Sequence, residues 1–170
     1  MYMLHRSSSL CVMLSSVSAL LCTASFPRCD LWPLAWIALV PLLYCLSGCT
    51  SKKAFFFGWL FGAVHGISIA YWVFYAMFVH SNAGFAVSLA FLVIVVGAGI
   101  GLYYALFGLA AHRIFSLKMH PLIKSLSCAA IWVSIEYCRA HLFTGVPWSL
   151  FGYTQYKWVS VIQLDRKSTR

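Results

Sequence analysis

Glu136 is the only glutamate in the chain, and Arg139 follows it by three residues inside an otherwise apolar stretch. That spacing puts the two side chains on one helical face, where carboxylate and guanidinium can pair. An ionisable residue within a membrane-length segment is costly unless it is partnered, and by default it points to function. Two readings follow: a structural ion pair near a helix end, or polar groups at a working site. A nucleophilic set of glutamate, lysine and cysteine needs a lysine and a thiolate beside the carboxylate. Cys138 is two residues from Glu136 and so points to a different face, and the lysines cluster elsewhere.

Beyond Arg139 the chain reads His141-Leu142-Phe143-Thr144-Gly145-Val146-Pro147-Trp148. Gly145 and Pro147 predict the helix stop, because proline lacks the N–H and disfavours helical geometry in the residue before it. Trp148, Phe151, Tyr153, Tyr156 and Trp158 follow closely, as in an interfacial aromatic belt. Such a belt either anchors the chain or lines an entrance for an amphiphilic substrate.

The seven cysteines, at 11, 22, 29, 45, 49, 128 and 138, contain no Cys-x-x-Cys pair. No histidine stands at metal-ligand spacing from them. Most read as small buried apolar residues, with Cys29, in a short polar-flanked turn, the candidate for facing water. No disulfide framework, metal site or cofactor is expected.

The elements that position these residues follow from composition. The chain is 62% hydrophobic and 9% charged, against about 45–50% and 25% in soluble domains, which marks an integral membrane protein. A transmembrane helix needs about 20 apolar residues, with about 17 the lower limit. Leu10 to Phe26, Leu31 to Leu46, Ala54 to Val79, Phe85 to Ala111 and Leu122 to Phe143 are the five candidates. The second is short and crosses only with help from neighbours or local thinning, and the third and fourth are long enough to tilt.

If the segments alternate, Arg6, Lys52, Lys53, Arg113, Lys118 and Lys124 fall on one side and Arg28 and Arg139 on the other. Six against two places the N-terminus in the cytoplasm by the positive-inside bias. The net charge of +9 therefore reports topology, and nucleic acid is not expected as a partner. Phe26–Asp30, His80–Gly84 and Thr144–Gln155 are then expected on the outer side.

Residues 1–24 have the basic start and apolar stretch of a secretory signal. A second hydrophobic segment follows instead of a soluble domain, which favours an uncleaved first span. Leu46-Ser47-Gly48-Cys49 resembles a lipobox, but the charge bias places Cys49 on the cytoplasmic side.

Gly58, Gly62, Gly66 and Ala70 recur every four residues on the third segment, and Gly97 and Gly101 repeat the spacing on the fourth. Faces of small residues let helices approach closely, so these glycines are expected to pack one helix on another. His65 reads as a hydrogen-bonded histidine inside the bundle.

Taken together, FPRCDLWPLAWIALVPLL, KKAFFFGWLFGAVHGISIAYWV and IWVSIEYCRAHLFTGVPWSLFGYTQ resemble the N-terminal membrane region of bacterial apolipoprotein N-acyltransferases, from about residue 20 to Leu164. The most specific part is Thr-Gly-x-Pro-Trp at 144–148, with Glu136-x-x-Arg139 before it and Gly152-Tyr153-x-Gln155 after. The resemblance implies an all-α polytopic transmembrane helix bundle in the inner membrane. It also implies a family reaction in which an acyl chain passes from a phospholipid to the N-terminal cysteine amine of an apolipoprotein. In the family a thioester forms on the cysteine of a Glu-Lys-Cys triad within a nitrilase-like domain, and none of those three catalytic residues has a counterpart here. Membrane phospholipid and apolipoprotein are the partners implied. Glu136, Arg139, Thr144, Gly145, Pro147, Trp148, Tyr153 and Gln155, with Asp30, Trp32 and Pro33, would shape a groove at the membrane face.

Residues 1–164 read as one membrane region, and the resemblance fails over the charged tail at 165–170. That departure predicts a truncated or frameshifted product that is inactive alone. The alternative is a non-catalytic membrane subunit that binds lipoprotein or docks a separate catalytic chain.

Overall fold

A computed structural model describes residues 7–142, 145 and 147–158, and all regular structure among them is helical. Helix α1 is Ser8–Ala24. A 3-10 turn at Trp32–Leu34 leads into α2, Ala35–Ala38, and α3, Val40–Leu46. Pro41 separates α2 from α3 because it has no N–H to continue the ladder. Helix α4 is Ser51–Ile69, and α5, Tyr71–Tyr75, winds into a wider π-helical turn at Ala76–His80. Helix α6, Phe85–Ala90, continues through a π-helical stretch into α7, Gly99–Ser116. Helix α8, Pro121–His141, starts on a proline and is capped by the His120 ring, which accepts from the Leu122 N–H. A last 3-10 turn spans Phe151–Gln155.

Helices lie within all five expected segments, but α8 is not among those long and apolar enough to count as candidate spans, and the third segment needs a correction. Ala54 to Val79 is not a single tilted span, because the chain bends by 55° between Ser51–Ile69 and Tyr71–His80. Ala70 leaves helical geometry at the break, with φ −103° and ψ 18°. Among the described residues Phe85–Ser116 alone is long and apolar enough to cross a membrane, and the bent pair makes a second if it counts as one span. Ser8–Ala24 and Trp32–Leu46 are shorter apolar helices.

Side-chain contacts set the helix directions. Lys53 Nζ donates to Ser8 Oγ at 2.8 Å, and Thr23 Oγ1 lies 2.9 Å from His65 Nδ1, so α1 and α4 run parallel. Ser18 Oγ donates to the Ala38 carbonyl and Cys45 faces the Cys11 carbonyl, so α2 and α3 run back along α1. The Phe107 and Trp132 rings lie 5.1 Å apart, and Lys124 Nζ donates to the Phe115 carbonyl, so α8 runs against α7. Lys52, Lys53, Arg113, Lys118 and Lys124 therefore gather at one end, and Arg28 and Arg139 at the other. Arg6 lies outside the described residues.

Packing between α4 and α7 is the closest in the molecule, and glycine is the reason. A Cβ on Gly58 would run into the Tyr104 carbonyl oxygen. On Gly62 it would come within 2.6 Å of the Tyr104 ring and 2.9 Å of the Gly101 Cα. Gly66 faces Ile100, Gly97 faces Ile67, and Gly101 faces Trp59. Gly108, which the sequence reading did not single out, completes the seam against the Ala54 carbonyl.

Candidate functional site

Glu136 and Arg139 are both buried, 9% and 3% exposed, near the C-terminal end of α8. Both hold the turn that follows the helix. The Arg139 guanidinium donates through Nη1 to the Trp148 carbonyl at 2.6 Å and through Nη2 to the Ser149 carbonyl at 3.2 Å. Glu136 Oε1 accepts from the Phe151 N–H at 2.8 Å. Cation and anion thus take opposite ends of one short loop: the fork meets two carbonyls and the carboxylate meets one amide. Hydrogen bonds to charged groups are among the stronger ones in proteins, and here they hold Ser149 at φ 60°, in the left-handed region. Glu136 and Arg139 thus clasp a third element, the turn that follows α8.

Gly145 shows why that element can start where it does. It sits at φ 64°, and a Cβ there would meet the Ala140 carbonyl at 2.5 Å. Glycine alone adopts this conformation freely. Pro147 is exposed, and Thr144 lies outside the described residues. Trp148 stands edge-on to Trp72 with ring centres 5.0 Å apart. Phe151 packs against Trp132 at 5.6 Å, and Thr154, buried, donates its hydroxyl to the Phe151 carbonyl. Gln155 donates to Thr154 Oγ1, while Tyr153 is exposed.

The segment then crosses to the first turn of the chain. Asp30 receives Lys157 Nζ on one carboxylate oxygen and the Tyr156 hydroxyl on the other. Trp32 packs on Trp158 at 5.1 Å. Pro33 is the second residue of the 3-10 turn beside them and enters none of these contacts. The hydrogen bond from Lys157 holds the Asp30 carboxyl below its ordinary range, and the Asp30 carboxylate raises the Lys157 ammonium. The contact is therefore intact between those ranges. It is lost as pH falls through the lowered Asp30 value or rises through the raised Lys157 value. Lys157 is exposed and Asp30 only half-buried, so the pair orients this segment, a strap at 148–158, and contributes little stability.

Sequence reasoning missed Lys157 in this arrangement. Counting it at the same end as Arg28 and Arg139 makes the charge bias six against three. A signal was present: Asp30 is one of only three acidic residues in the chain, so a nearby lysine had few other partners. Ser149 and Thr154 were also missed, since their roles depend on backbone geometry.

Between the first turn and the strap lies a cavity of about 500 Å³, walled by Thr23, Arg28, Ser68, Tyr71, Trp72 and Ser149 among others. Arg28 lies 4.1 Å above the Tyr71 ring. A second cavity, about 410 Å³, opens between α2, α3, α7 and α8 and is largely carbon-lined. His65 is buried, hydrogen-bonded to Thr23 and surrounded by Phe26, Phe61 and Tyr104, as a satisfied interior histidine should be. Cys29 is exposed, Cys49 and Cys138 are half-buried, and the remaining cysteines are buried. Among the described residues no group of three or more His, Cys, Asp or Glu could hold a metal ion.

The family model described as the apolipoprotein N-acyltransferase N-terminal domain matches residues 18–166. The apolipoprotein N-acyltransferase of Geobacter metallireducens is 32% identical over 153 residues, covering 89% of this chain and 28% of that protein. That of Haemophilus influenzae is 33% identical over 146 residues, covering 84% and 26%. That of Pseudomonas paraeruginosa is 31% identical over 128 residues, covering 74% and 24%. The chain thus spans about a quarter of the length of the curated relatives it matches. The matched stretch contains the clasp, the glycine seam and the first turn, and it places this chain in the apolipoprotein N-acyltransferase family, within the region that the N-terminal domain defines.

Proposed function

We propose that these residues form the membrane part of an apolipoprotein N-acyltransferase and present a rigid outer face to its lipid and lipoprotein substrates. In this reading the helices form a multi-pass bundle in the bacterial inner membrane, with the N-terminus in the cytoplasm and the clasped end outward. The observation that carries it is the clasp. Glu136 and Arg139, embedded in an apolar helix, hold residues 148–151 against the end of the bundle. Buried charges are costly in such a place, and spending them on one surface loop makes that loop's position the purpose.

Asp30, Trp32, Trp148, Tyr153 and Gln155 then belong to the surface that meets substrate, with Gly145 and Pro147 directing the chain into it; Thr144 is proposed with them from its sequence position. Tryptophan and tyrosine suit this level, where one side of a ring is apolar and the other wet. Phospholipid would enter from the bilayer and apolipoprotein from its anchor in the same leaflet. Acyl transfer itself is proposed to reside in the part of the family's protein beyond the stretch matched here.

Transplantation tests this. Residues 18–158 are exchanged for the matching part of the Haemophilus influenzae relative, and N-acylation of a diacylated lipoprotein is read by mass spectrometry in cells depleted of their own enzyme. The chimera is expected to acylate, and the 170-residue chain alone to leave the lipoprotein unmodified. A stable, membrane-inserted chimera without activity, or acylation by the chain alone, would contradict the reading.

A further inference from the structure

We propose that the cavity beside Arg28 binds the phosphate-bearing head group of an amphiphile, with the Arg28 guanidinium as its counter-ion. This deepens the reading above and rests on it for the placement of the cavity at a membrane surface. The volume, about 500 Å³, falls within the roughly 300–1,000 Å³ of small-ligand sites. Its walls divide by chemistry: Phe26, Ile69 and Trp72 are apolar, while Arg28, Ser68 and Ser149 offer donors. An amphiphile with an anionic head has the matching division.

The charge balance selects the anion. The Arg28 guanidinium lies over the Tyr71 ring, a cation–π contact that supplies no anion to balance its charge. Among the described residues it has no ion-pair partner and no hydrogen-bond acceptor. The nearby carboxylate, Asp30, is already taken by Lys157 and Tyr156. A second cation lies beneath: Ile69 and Ser149 also border a void of about 10 Å³ that reaches Arg139. Among the described residues no carboxylate lines the cavity. The planar fork of an arginine meets two phosphate oxygens at once. Trp72 in the wall, with Trp148 edge-on beside it, stands where the glycerol and first methylenes of such a ligand would pass.

Cys29 reports on occupancy, because it is exposed and lines the same cavity. The full chain in detergent is labelled with a maleimide, and modification of Cys29 is followed by peptide mass spectrometry. Three probes are compared: dihexanoyl phosphatidylethanolamine, dihexanoylglycerol and inorganic phosphate. The phospholipid is expected to slow labelling about tenfold at roughly ten times its Kd, as occupancy dictates, and the other two to have little effect. Arg28→Gln is expected to abolish most of the protection and Arg28→Lys to keep part of it. If Arg28→Gln does not fold, the three-probe comparison on the unaltered chain decides alone.

Equal protection by dihexanoylglycerol would overturn phosphate recognition, and equal protection by inorganic phosphate would overturn the lipid source. No protection at all would overturn the site. Binding is read without acyl transfer, so the two proposals fail separately. An active chimera with an unprotected Cys29 removes the head-group site alone, whereas a protected Cys29 with an inactive chimera removes the proposed function alone.

Discussion

Arg139→Leu is expected to free the turn at 148–151 and to cut acyl transfer by the chimera at least tenfold, with α8 still folded. The side chain is 3% exposed and donates to two carbonyls. Hydrogen bonds to charged groups contribute about 1.5–3 kcal/mol each. Removing the arginine also leaves Glu136 buried without its neighbouring positive charge, and breaking such an arrangement costs about 3–5 kcal/mol. A loss of about 3 kcal/mol raises the open population of the turn roughly a hundredfold. Limited proteolysis between Trp148 and Trp158 reads that opening directly. Three further variants separate the clasp from a general effect of polarity. Glu136→Gln keeps an acceptor oxygen for the Phe151 N–H and is expected to be mild, while Glu136→Leu strands that N–H and is expected to approach Arg139→Leu. Arg139→Lys supplies charge without the fork and should lie between. Equal, small effects for all four would mean that the clasp does not hold the turn.

Gly58→Leu is expected to lower the stability of the bundle more than any other single change on the seam. A Cβ at that position meets the backbone oxygen of Tyr104, and the Gly108 Cα lies 3.1 Å away, so neither neighbour can rotate out of the way. Overpacking of this kind costs about 1–3 kcal/mol when side chains can shift, and more when backbones must separate. Gly66→Ala, facing only the Ile100 side chain at 3.3 Å, is expected to cost less. Gly99→Ala meets nothing within 4 Å and should be neutral or slightly stabilising, because alanine favours helix. Loss of helical circular dichroism during titration with a denaturing detergent ranks the three. An order other than Gly58, Gly66, Gly99 would contradict the seam.

Much of this was legible in the chain. Apolar runs located the helices because a helix must satisfy its own backbone in an apolar medium, and the four-residue spacing of Gly58, Gly62 and Gly66 located the seam. Glu136 and Arg139 announced themselves by chemistry, as charges where charges are costly. Their target was not legible, because it lies in backbone groups of residues 148, 149 and 151, which carry no sequence signature. The bend at Ala70 was equally hidden, since no proline or glycine occupies the break. Asp30 and Lys157 are 127 residues apart, and only the antiparallel return of α8 brings their segments to one end. The family was legible in the same stretches, and the match over residues 18–166 shows it.

The proposed topology puts the clasped end of the bundle on the outer side of the cytoplasmic membrane. It is tested most directly by labelling spheroplasts with a membrane-impermeant maleimide. Cys29 reports on the clasped end, and Lys118→Cys, exposed in the loop between α7 and α8, reports on the opposite one. The account predicts that Cys29 is modified in intact spheroplasts and that the residue at 118 is modified only after lysis. Modification of position 118 in intact spheroplasts, with Cys29 protected until lysis, would contradict it.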